Sequence, residues 1–218
     1  MTSFDIFEID LKIYMSTFRR FVLVLSGVVF SWSFCYSQAE YSFTDGTFTD
    51  PRDGQSYKTI SFKLEKVGGA IVERTWYAEN VNFQVKGSYC YNDEPAYCEK
   101  YGRLYNYKEA QQACPEGWHL PTITEWNNLF EHFGGRHEAG EVLIEGGGSN
   151  MHMLYGGFGE PGHRFMDITI SGNWWDNERK GAESAGIITL EEGTGEIFHE
   201  VIGDYHRLSS RCVKFHTD

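Results

Sequence analysis

The 218-residue chain carries 31 acidic against 19 basic side chains, a net charge of −12. That balance argues against a nucleic-acid partner, whose phosphates would repel it. Twenty-four glycines and an aromatic content of 16% predict many turns and strands around a well-packed core.

The N-terminal region reads as an address. A basic stretch, Met15 to Arg20, runs into the apolar segment Phe21 to Phe30, and small or polar residues follow up to Ser37. Basic, apolar and small in that order is a secretory signal layout, and the apolar part is short for a bilayer span. The reading is a signal peptide over 1–37, cut after Ser37, with translation starting at Met15 because Asp5, Glu8 and Asp10 do not suit a signal. The runner-up is a lipoprotein acylated at Cys35, which the bulky Phe34 disfavours. Removing residues 1–37 takes three basic and three acidic groups, so the net charge does not change. No transmembrane anchor is expected after removal. Residues 38–49 are read as a flexible polar leader, and residues 50–216 as one domain.

Within that domain, Asp50 to Gly54 is a turn by composition. Tyr57–Leu64 alternates as a half-buried strand and is broken at Gly68-Gly69, and Ala70–Ala78 forms the second arm of a hairpin. Residues 81–101 read as a long loop rich in Tyr and Asn. Asn106 with Glu109 caps a helix that stops at Cys114-Pro115. Thr122 and Glu125 form a capping box for a second helix. Its residues Trp126, Leu129, Phe130 and Phe133 share one face, and Gly134-Gly135 ends it. Glycine-rich loops are expected at 146–148 and 156–159. Short strands are expected at 165–170, 172–175, 186–190, 196–201 and 209–215. After signal removal Cys90, Cys98, Cys114 and Cys212 remain, an even number that reads as two disulfides with three possible pairings. No Cys-x-x-Cys pair suggests zinc.

Five segments then occur in order: Asp53-Gly54-Gln55-Ser56-Tyr57-Lys58-Thr59, Trp76-Tyr77-Ala78-Glu79-Asn80, Tyr101-Gly102-Arg103-Leu104-Tyr105, Cys114 to Thr122 with Glu125-Trp126, and Ser209-Ser210-Arg211-Cys212-Val213-Lys214. Together, over roughly residues 50–214, they resemble the Fibrobacter succinogenes major paralogous domain, a family of exported and lipoprotein modules. The resemblance implies an α+β, C-type-lectin-like fold, two helices on a small, irregular antiparallel sheet with long loops. It also implies the pairings Cys114–Cys212 and Cys90–Cys98. Leu120-Pro121-Thr122 with Glu125-Trp126 is in addition similar to a segment of formylglycine-generating-enzyme domains. No defined activity comes with the family, and fold does not fix function.

Candidate sites follow. Lectin-like domains often hold a sugar through Ca²⁺, which needs converging oxygens; Asp176, Asn177 and Glu178 with Glu160 are the candidate ligands, against the plainer reading of a solvated acidic turn. The family pattern at this place is Trp-Trp-Ser-Ser, so the acidic version is a departure. Apart from this ion no cofactor is expected. Tyr89, Tyr91, Tyr97, Trp174 and Trp175 are candidate sugar-stacking residues, with one of the two adjacent tryptophans expected in the core and the other exposed. Trp76, Trp118 and Trp126 are assigned to the core. His119, His132, His137 and the Met151-His152-Met153 patch suggest no chemistry. Neither a Gly-x-Ser-x-Gly elbow, a His-Glu-x-x-His helix nor a phosphate loop is present. The expectation is therefore a secreted or cell-surface, non-catalytic binding module for a glycan or surface protein. The alternatives are an oxidoreductase of the formylglycine-generating type, which would need free thiols, and a purely structural surface protein.

Overall fold

In the computed structural model of the chain, the described residues are 20–25, 28–33, 42–65 and 69–214. The chain divides into two units, Met1–Glu40 and Tyr41–Asp218. In the first, β1 (Arg20–Leu25) and β2 (Val28–Ser33) pair antiparallel. The apolar segment of the expected signal falls across this hairpin, while Met15, Cys35 and Ser37 lie outside the described residues.

The second unit holds two five-stranded sheets. The first takes its strands in the order β3 (Phe43–Thr49), β4 (Ser56–Glu65), β5 (Ile71–Tyr77), β12 (Val213–Lys214) and β6 (Trp118–His119), all antiparallel. The second runs β11 (Ile197–Gly203), β10 (Ser184–Glu191), β9 (Ser171–Gly181), β7 (Gly156–Glu160) and β8 (Arg164–Ile168). All its pairings are antiparallel except the single β7–β9 contact, Gly157 opposite Gly172, which is parallel. The helices are α1 (Pro95–Tyr101), α2 (Tyr107–Ala113), α3 (Ile123–His132) and α4 (Ala139–Leu143). Among the described residues of this unit the fold is thus mixed α+β, but with two sheets in place of one small sheet and four α-helices in place of two. Phe43–Thr49, expected in the leader, is edge strand β3, and its mostly exposed, polar residues carry no alternation to read.

Adjacent residues of the same strand serve two cores. Trp76, Trp174 and Ile188 belong to a cluster completed by Trp126, Leu129, Phe130 and Phe133 from α3. Their neighbours Tyr77, Trp175 and Ile187 belong to a second cluster with Tyr107, Ala110 and Ala113 from α2. Side chains alternate along a strand, so a strand covered on both faces buries consecutive large residues. Each fully buried Trp, Leu or Phe contributes roughly 1.5–3 kcal/mol. Both capping boxes are present, Asn106 with Glu109 on α2 and Thr122 with Glu125 on α3. The disulfides are Cys90–Cys98 and Cys114–Cys212, and among the described residues no helix is long and apolar enough to cross a membrane.

Candidate functional site

Two places in the second unit gather polar chemistry. The first is a cleft of about 340 Å³ where the start of β4, the chain after β5, helix α1 and the 145–154 loop meet. Gln55, Lys58, Asn82, Lys100, Glu145 and His152 are among its lining residues. Tyr57 sits in one wall, its hydroxyl accepting the Asn82 backbone N–H at 3.1 Å. The Asn82 side-chain oxygen is shut off from solvent and has no hydrogen-bond donor. An unpaired buried acceptor costs roughly 1–3 kcal/mol.

Behind the cleft lies a buried polar frame. Asn80, which also lines the cleft, accepts from Trp174 Nε1 and from Arg211 Nε, both at 2.8 Å, and donates to the Tyr101 carbonyl at 2.8 Å. Arg211 is fully buried and donates further to the carbonyls of Tyr77 at 3.0 Å, and of Met151 and His152 at 2.8 Å. All these acceptors are neutral, and burial pulls the guanidinium pKa down to about 9. This frame fixes the 151–152 loop against the end of β5.

The second place is on β9. Trp175 pairs with Ile187 and Arg179 with Ala185, so residues 176–178 bulge against the single residue Gly186. The Asp176 carboxylate is wholly buried; Oδ1 accepts the Glu178 N–H at 2.7 Å, and Oδ2 lies 2.8 Å from His199 Nε2 on β11. Burial raises the Asp176 pKa, an effect that the His199 and Glu178 hydrogen bonds only partly offset. A Cβ at Gly186 would come within 2.2 Å of Oδ2, so only glycine leaves room for this carboxylate. Donor atoms of Asp176, Glu178 and His199 all lie within 4.8 Å of one another.

The four residues expected to hold calcium are therefore distributed differently. Asp176 and Glu178 come together, Asn177 is exposed on the strand between them, and Glu160 pairs with Arg164 at 3.3 Å. His199 takes the place assigned to Glu160. It lies more than twenty residues away in sequence, and no local motif signals it.

The stacking residues need correction as well. Trp174 and Trp175 are both fully buried, with their indole N–H groups donated to Asn80 and to the Tyr105 carbonyl, so neither offers a face to a sugar. Tyr91 is buried against Phe165 and Tyr97. Tyr89 is half-buried, its ring flanked by the Arg207 guanidinium at 4.2 Å and the His163 ring at 4.3 Å. Tyr97 is half-buried too, beside Tyr91 and Tyr101. The aromatic loop set is largely scaffold. His119 Nε2 lies 2.9 Å from Glu125 Oε2, the carboxylate that caps α3.

The family model described as the Fibrobacter succinogenes major domain matches residues 56–214. No curated protein and no solved structure matches the chain.

Proposed function

The chain belongs to the Fibrobacter succinogenes major domain family, and from that premise we propose that it is an exported, non-catalytic binding module of the cell envelope or extracellular space. Its ligand is a glycan, held in the cleft between β4, α1 and the 145–154 loop. The observation that carries this reading is the polar lining of the cleft, where the amide residues Gln55, Asn80 and Asn82 stand among Lys58, Lys100, Glu79, Glu99 and Glu145. Amides offer donors and acceptors together, and these amide and mixed-charge groups suit a neutral polyhydroxyl ligand better than a strongly charged one. A C-type-lectin-like relationship of the scaffold is part of the same proposal.

The paired cysteines favour this reading over an oxidase of the formylglycine-generating type, because all four cysteines among the described residues are spent in disulfides. Disulfides are at home in an oxidising compartment. The test is binding of the purified protein to a panel of glycans and polysaccharides. Saturable binding that weakens about tenfold in Asn82→Ala and in Gln55→Ala, a loss of about 1.4 kcal/mol, is the expected result. Absence of binding to every glycan, or binding indifferent to both substitutions, overturns the reading and favours a protein partner.

A further inference from the structure

The bulge of β9 holds a feature that the cleft does not use, since none of Asp176, Glu178 and His199 lines it. We propose that these three residues bind a divalent transition ion of the zinc class. The inference is independent of the glycan reading.

Three observations converge. The donors come from two strands separated by β10 in the sheet, and nevertheless lie within 4.8 Å of one another. Ligands about 2.0–2.2 Å from a common metal stand some 3–4 Å apart, so small side-chain rotations complete the set. The room for the Asp176 carboxylate depends on the missing side chain of Gly186. The site is also graded in access: Asp176 is fully buried, the His199 side chain is 19% exposed and that of Glu178 is 44% exposed. An ion can therefore enter from solvent past Glu178, whose present partner is the mobile-stemmed Lys180 at 2.5 Å.

The donor chemistry selects the ion. An imidazole nitrogen with two carboxylates suits zinc and its neighbours, whereas calcium takes six to eight oxygens. The two carboxylates bring negative charge to the ion, Asp176 from a fully buried position, and a divalent ion neutralises it. Three protein ligands leave a fourth position for water.

The experiment uses the purified protein after chelator treatment, titrated with Zn²⁺, Co²⁺ and Ca²⁺. The expected result is one tightly bound Zn²⁺, with visible Co²⁺ absorption bands, not displaced by millimolar Ca²⁺. His199→Ala and Glu178→Gln, both at partly exposed side chains, weaken binding by at least the roughly tenfold that loss of an outer-shell partner costs. Circular dichroism checks that each variant stays folded. Lack of stoichiometric Zn²⁺ binding, or binding unchanged in a folded His199→Ala protein, overturns the proposal. So does Ca²⁺ competing on equal terms. Glycan binding is read in a separate assay, so failure of either proposal leaves the other standing.

Discussion

Arg211 illustrates how a single residue can organise a site without touching a ligand. Its guanidinium is fully buried and meets only neutral acceptors, four of them, drawn from Asn80, Tyr77, Met151 and His152. Arginine suits this position because its donors fan out in a fixed plane and can reach several carbonyls at once. Arg211→Met fills similar volume but strands those acceptors. At roughly 1–3 kcal/mol for each stranded group, the variant is expected to lose about 3 kcal/mol or more in urea unfolding; a loss below about 1 kcal/mol would show that the 151–152 loop is held by other contacts. The sequence displays Arg211 only as part of the Ser-Ser-Arg-Cys-Val run, with no sign of its burial. Trp174-Trp175 misleads for a related reason. The alternation rule placed them on opposite faces, which the structure bears out, but a pair of residues does not reveal whether both faces are covered. No local pattern marks His199, because its approach to Asp176 and Glu178 is set by register across three strands.

At the scale of elements, legibility follows the presence of local hydrogen-bond chemistry. α2 and α3 announce themselves through side chains that satisfy their own first turns, and the β4–β5 hairpin through alternation. α1 has Pro95 in its first turn but no side-chain cap from Glu94, so nothing local in the sequence marks it as a helix. The glycines of β7 give it the composition of a loop, yet Gly157, at φ +65° with a Cβ position 2.3 Å from the Met166 carbonyl, is there to let β8 approach. The α3 cap also makes a prediction. Burial alone would raise the Glu125 pKa, but hydrogen bonds from His119 and Thr122 outweigh it and hold the group below the usual 4.5. A lowered native pKa gives stability that is present above the unfolded value and lost as pH falls through the native one. Glu125→Gln is therefore expected to flatten the decline of stability between about pH 5 and pH 3. Thr122→Ala should cost about 1 kcal/mol near neutrality. Denaturant unfolding across pH measures both, and an unaltered acid slope in Glu125→Gln would assign that slope elsewhere, for instance to Asp50, whose pKa burial raises and Arg52 lowers further.

For the second unit as a whole, the two disulfides do different work. Cys90–Cys98 spans 8 residues and closes the turn that leads into α1; Cys114–Cys212 spans 98 and ties the end of α2 to the last strand. The sequence allowed three pairings, and the family resemblance rather than any spacing selected the right one. Because an unfolded chain loses more freedom when a longer loop is closed, the entropy model assigns about 4–5 kcal/mol to the long bridge and about 2–3 kcal/mol to the short one. Replacing both cysteines of each pair by serine and measuring urea unfolding separates the two contributions. Cys114→Ser with Cys212→Ser is expected to lose about twice as much as Cys90→Ser with Cys98→Ser. It also exposes a difference in kind: the long bridge joins distant parts of one core and its loss lowers the stability of every element, whereas the short one shapes a wall of the cleft through Cys98. The short-bridge variant is therefore expected to keep most of its stability while weakening ligand capture in the cleft. Equal losses of stability in the two variants would show that native packing around the sulfurs, rather than loop closure, sets the contribution of each bridge.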